Sequence, residues 1–165
     1  VAYRDLPRGE KRRPNTAYFL NPYNLGWYDF NAEEARAFRT TSRDPVKIPD
    51  PVFTKFATLT LKDAVRGQCG QYKPEDLKEG SLSTQLVSES NGRSTFRLTG
   101  TAKLKDHQRS VDMNLHGIAV FDGSKFVSFN LVAAGQRAGR SGANGRGTDL
   151  GPAPMGIAFE LYEGN

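Results

Sequence analysis

RSTFRLTGTAKLKDHQRSVDMNLHGIAVFDGSKFVSFNLVAA, residues 93–134, sets apolar and polar side chains in regular alternation. Phe96, Leu98, Gly100, Ala102 and Leu104 fall on every second position, as do Val111, Met113, Leu115, Gly117, Ala119 and Phe121, and again Val127, Phe129, Leu131 and Ala133. A period of two over such lengths belongs to half-buried antiparallel strands. Asp122-Gly123-Ser124 joins the last two as a hairpin. A plain two-residue loop there would pair odd with even positions and put Phe129 and Leu131 on the face opposite Leu115 and Phe121. An odd-length loop or a bulge is therefore expected, because it unites the odd apolar residues. Gly100 and Gly117 then lie on the inner face, where small residues imply sharp coiling or a large neighbour, and Phe129 is the expected partner of Gly117.

Working outward, Leu82, Thr84 and Leu86 repeat the alternation and Asn91-Gly92 is a strong turn signal, since both residues tolerate positive φ. Ala57, Leu59 and Leu61 read as an earlier strand, and Ile157, Phe159 and Leu161 as the last. The expected fold is all-β, an antiparallel barrel or strongly coiled sandwich of six to nine strands. A chain of 165 residues is read as a single domain, with 51–165 as the β core and 1–50 as an N-terminal arm, strap and short helix. The helix is expected over 31–38, with Asn31 as cap and Glu33 and Glu34 in its first turn. Pro45, Pro49 and Pro51 make 40–51 an extended connector. Tyr18, Phe19, Tyr23, Trp27, Tyr28 and Phe30 are too irregular for a helix or strand and too apolar for water. With Phe38 they are expected to strap over Ile118, Val120, Phe126 and Val132, which the alternation points away from the inner core.

The totals narrow the chemistry. A single cysteine, Cys69, forms no internal disulfide, and two histidines, His107 and His116, make no zinc-spaced set, so neither a metal nor a cofactor is expected. No apolar run approaches the ~20 residues of a membrane helix. The chain starts at Val1 without a signal pattern and reads as a trimmed piece of a longer product. The net charge of +5 is too modest to argue for nucleic acid by itself.

Several residues invite a site. The segment 135–151 carries six glycines with Arg137, Arg140 and Arg146, a composition suited to wrapping an anion. A phosphate cradle should lead into a helix, however, and this segment leads into Pro152 and Pro154, so it reads as a mobile surface loop. The basic arm of Arg4, Arg8, Lys11, Arg12 and Arg13 would assist it on an acidic surface. Asp112, Asn114 and His116 alternate with core positions and share the outward face of one strand, as a small site or as its wet side. Cys69 follows Arg66 closely, and a nearby cation lowers a thiol pKa.

The segments LKDAVRG (61–67), FRLTGTA (96–102), GIAVFD (117–122), FNLVAAG (129–135) and PMGIAFEL (154–161) resemble a group of uncharacterised, largely exported bacterial proteins. The resemblance covers roughly the C-terminal two-thirds and departs after Gly67, where Gln68-Cys69-Gly70 replaces a more proline-rich stretch. It implies a periplasmic or secreted setting and no known activity. The reading that follows is a non-catalytic extracytoplasmic binding or interaction module, its partner an anionic polymer or another protein. One alternative is a polyanion-binding domain built on the arginine-glycine segment and the arm. Another is an enzyme assembled from scattered residues such as Arg66, Asp112 and His116.

Overall fold

The structure, a computed structural model, describes residues 1–6 and 23–162. Arg8, Lys11, Arg12 and Arg13 of the basic arm, and Tyr18 and Phe19 of the aromatic cluster, lie outside the described residues. In chain order the elements are β1 (Ala2–Asp5), β2 (Tyr23–Leu25), α1 (Ala32–Arg36), β3 (Val46–Lys47) and α2 (Asp50–Thr60). A 3-10 turn at Pro74–Asp76 then leads into β4 (Leu77–Ser90), β5 (Arg93–Lys105), β6 (Arg109–Asp122), β7 (Lys125–Gly139) and β8 (Ala153–Glu160). The fold is all-β: eight antiparallel strands form one sheet in the order β2-β1-β8-β7-β6-β5-β4-β3. The sheet is open, with the short strands β2 and β3 as its edges, so it does not close into a barrel.

The long strands β4 to β7 follow one another as a meander because each turn is local. Asn91 and Gly92 both take positive φ (53° and 76°), so a two-residue loop closes β4 onto β5 between Ser90 and Arg93. Between β6 and β7 the two-residue turn is compensated by a bulge. Ala119 pairs with Phe129 and Val120 with Ser128, but Phe121 pairs with Phe126, leaving Val127 extra. The bulge does what the alternation required, since Leu115, Phe121, Phe129 and Leu131 are all buried on one face. It also reverses the parity of Phe126, which turns inward beside Phe121 rather than outward as expected.

Gly117 is opposite Leu131 and not Phe129. A Cβ at Gly117 would run into the Asn130 carbonyl and the Leu131 Cα, so glycine here permits the close strand approach of a strongly coiled sheet.

The buried face is covered by a helix that the alternation hid. Ala57, Leu59 and Leu61 belong not to a strand but to α2 and its C-terminal end. Phe53, Phe56, Ala57 and Leu61 recur at three- and four-residue spacing and are all buried, the signature of one helix face on a core. Pro49 and Pro51, at the end of the expected extended connector, instead start this helix, where a missing N–H costs nothing and Asp50 meets the positive end of the dipole. Phe56 reaches Phe159 of β8, with ring centroids 5.1 Å apart, and burying each such side chain is worth about 1.5–3 kcal/mol.

α1 forms as the sequence predicts. Asn31 accepts from the N–H groups of Glu33 and Glu34, and Glu34 accepts from the Asn31 N–H, a reciprocal capping box. Glu34 is buried and ion-paired to Lys55 of α2, tying the two helices together. Burial acts to raise the Glu34 carboxyl pKa, but Lys55 and the Asn31 N–H outweigh it and hold the carboxyl below its usual range.

The described residues of the N-terminal third do not strap over the outer face. Residues 2–5 are a strand between β8 and β2, and Phe30 and Phe38 pack on the inner side against Phe126 and Phe129. On the outer face Ile118 is 39% and Val132 51% exposed. The inner face carries the larger apolar demand, because the bulge adds Phe126 to it, and Tyr28, Phe30 and Phe38 go there.

Candidate functional site

The inner packing leaves a cavity of about 270 Å³ at one end of the sheet, where the β2–α1 connection, the β6–β7 hairpin and the end of β8 meet. The floor is made by Phe129, Phe126 and Phe30, with ring centroids 5.3 Å (Phe126–Phe129) and 5.6 Å (Phe30–Phe129) apart. Phe159 closes the side next to α2. The rim is Trp27 and Tyr162, in edge-to-face contact at 4.8 Å, with Trp27 73% exposed. The Leu161 N–H donates to the Phe129 carbonyl at 3.0 Å, which fixes the chain after β8 against the hairpin and sets Tyr162 over the opening. Asp29 and Glu160 are the charged side chains of the lining, and both are exposed.

Tyr28 also lines the cavity, and its hydroxyl is buried with no hydrogen-bond partner among the described residues. Burial, helped by the charge of Glu34, pushes its pKa up to about 12. An orphaned hydroxyl in an aromatic wall is costly to leave unmade, on the order of 1–3 kcal/mol.

The residues expected to carry a site fall into three places. Arg66, Arg137 and Arg146 come together in a buried ion cluster with Asp5, Asp63 and Asp149. Arg146 grips both Asp63 oxygens (2.5 and 2.6 Å) and both Asp5 oxygens (2.8 and 3.0 Å). Arg66 donates to Asp5 at 2.9 Å and lies 3.1 Å from Asp149. Arg137 donates to the Asp149 carboxylate and carbonyl, each at 2.6 Å. Three carboxylates thus face three guanidiniums, and the cluster ties β1, the post-α2 segment, β7 and the 140–151 loop into one unit.

Burial by itself would raise the Asp5 carboxyl, but Arg146 and then Arg66 hold it below the usual carboxylate range. Burial and the neighbouring Arg146 charge together lower Arg137, while Asp63 and Asp5 overcome burial to raise Arg146.

This overturns the reading of 135–151 as a mobile surface loop. Residues up to Gly139 continue β7, and Arg137 and Arg146 are fully buried rather than presented to an anion. Arg140 alone of the three is exposed. Asp112, Asn114 and His116 stand in a row on the exposed face of β6, opposite Lys103, Thr101 and Thr99 of β5, as the wet side of the sheet. Cys69 is buried, and its partner is not Arg66 but Arg109, whose Nη1 donates to Sγ while its guanidinium lies 4.3 Å over the Tyr72 ring.

The cavity residues escaped the sequence reading although the aromatic cluster at 27–30 was visible in it. A bulge or odd-length loop was expected in this hairpin, but not its position: with Val127 as the extra residue, Phe126 comes to the same face as Phe129. The cluster's acidic partners carried no local signal either, since Asp5, Asp63 and Asp149 are scattered along the chain. Among the described residues no group of three His, Cys, Asp or Glu side chains is placed to hold a metal ion, and no helix is long and apolar enough to cross a membrane. No family model, no curated protein and no solved structure matches the chain.

Proposed function

We propose that this chain is a non-catalytic binding module, and that its ligand is a small molecule or side chain taken into the aromatic cavity beneath Trp27 and Tyr162. The observation that carries the reading is the exposure of Trp27, a large ring at 73% on the rim of a cavity walled by Phe126, Phe129 and Phe159. Concave, largely apolar sites with a few polar groups are the usual form of small-ligand pockets. The ion cluster is the other concentration of polar side chains, but it is buried and its charges are matched by one another, which suits a structural role. A setting outside the cytoplasm is supported by the resemblance of the strand motifs to exported proteins.

The test uses N-phenyl-1-naphthylamine, a neutral dye whose emission rises in apolar sites. Saturable enhancement is expected, weakened about five-fold by Trp27→Ala, since one aromatic contact is worth roughly 0.5–1.5 kcal/mol. Trp27 is mostly exposed, so the substitution leaves the melting temperature unchanged. No enhancement, or equal enhancement in the variant, rejects the cavity as the binding site.

A further inference from the structure

We infer that the cavity selects a small organic cation of the quaternary or substituted ammonium class, an inference that rests on reading the cavity as the binding site. Three observations converge on it. The walls are ring faces and edges, and an aromatic face carries the negative part of the ring quadrupole, to which a cation within about 6 Å of the centroid is attracted. Among the described residues the charged side chains of the lining are both carboxylates, Asp29 and Glu160, with no lysine, arginine or histidine beside them. Neither carboxylate has a lysine, arginine or histidine partner among the described residues, unlike Asp5, Asp63 and Asp149 of the ion cluster. The Val1 ammonium on the same wall donates to the Gly26 carbonyl at 2.9 Å and is drawn towards Glu160, so Asp29 is the carboxylate of the lining with no cationic neighbour among the described residues.

An anionic ligand would meet two like charges and the negative ring faces, while a neutral apolar ligand would gain nothing from either carboxylate. A compact alkylammonium group uses both features: its methyl surface fills an apolar volume and its diffuse charge faces rings and carboxylates. A strongly hydrated primary ammonium is less well suited, because it would leave its water for rings that accept hydrogen bonds poorly.

The experiment compares choline with 3,3-dimethyl-1-butanol, which has the same shape with carbon in place of nitrogen. Trp27 is the single tryptophan of the chain and stands on the rim, so its emission reports occupancy directly. Titrations are run at constant ionic strength, with Asp29→Asn and Glu160→Gln measured alongside and the naphthylamine dye as a third probe. The inference expects choline to bind at least ten-fold more tightly than the neutral alcohol, with the preference falling several-fold in each variant while dye binding is unchanged. Equal binding of choline and the alcohol overturns the cation inference and leaves the cavity reading standing. So does binding of the dye with no response to choline. If none of the three probes binds, both readings fail together.

Discussion

Phe121 and Phe126 face one another across the β6–β7 turn with ring centroids 4.2 Å apart, and they can do so because Val127 is the extra residue of a bulge. Without it Phe126 would point to the outer face beside Val120, as simple alternation has it. Deleting Val127 restores a regular ladder and takes either Phe126 or Phe129 out of the core. A loss of about 3 kcal/mol or more is expected, in the range of large aromatic truncations, together with loss of dye binding in the cavity. Urea unfolding of the deletion variant measures it; an unchanged midpoint would show that the hairpin does not depend on the bulge.

Tyr28 should be more useful to the fold without its hydroxyl. Because that group is buried with no partner among the described residues, Tyr28→Phe is expected to hold or raise stability, by up to about 1 kcal/mol. The pH dependence gives the sign independently. The folded-state pKa is raised to about 12 from the ordinary 10, so the wild-type fold loses stability as pH climbs through that interval. The Phe variant lacks this share of the alkaline loss. Thermal melts at pH 9 and pH 11 decide, and a steeper alkaline decline in Tyr28→Phe contradicts the assignment.

Arg146 and Arg140 lie in one segment and should behave in opposite ways. Arg146→Ala leaves Asp5 and Asp63 buried without their main partner, a change expected to cost about 3–5 kcal/mol. Arg140→Ala, at an exposed position, is expected to stay within about 0.5 kcal/mol of wild type. Denaturant midpoints for the two variants test the contrast. Comparable losses in both would mean that the cluster is not centred on Arg146.

Acid should attack the same cluster. The Asp5 carboxyl is held below its ordinary pKa in the fold, so the unfolded chain takes up its proton first as pH falls. The stability Asp5 contributes is therefore complete above the unfolded value near pH 4 and is lost progressively below it, down through the lower folded value. Asp5→Asn should be less stable than wild type at pH 7 and show a shallower decline between pH 5 and pH 2. Parallel unfolding curves for the two proteins over that range would exclude Asp5 as a contributor.

The strands of the meander were legible because period two survives in β5, β6 and most of β7, and because Asn91-Gly92 and Asp122-Gly123 mark their ends. α2 was not, since Ala57, Leu59 and Leu61 satisfy a strand pattern while Phe53, Phe56, Ala57 and Leu61 satisfy a helical one. Over so short a run, burial on a neighbouring sheet decides between the two periods. The ion cluster was half legible: its arginines stood out among glycines, but the burial of Arg146 depends on Asp63 and Asp5, contributed from 83 and 141 residues away in sequence. Asp112, Asn114 and His116 were placed on the right face, where they stand opposite Lys103, Thr101 and Thr99 of β5.

At one edge of the open sheet the two-residue β3 covers β4, fourteen residues long, only at Thr84 and Ser83. Ile48 and Ser42 each add one backbone hydrogen bond, to Leu82 and from Leu86, and the two ends of β4 beyond these carry no strand partner on that side among the described residues. Such an edge invites another chain to add itself as a ninth strand. Both ends are irregular, however, with Lys78 and Val87 left extra in the β4–β5 ladder, and exposed charges stand there at Lys78, Glu79 and Glu89. Kinks and charges at an unpaired edge oppose intermolecular pairing. The protein therefore carries its protection against fibrous self-association in the same strand that leaves its sheet unclosed.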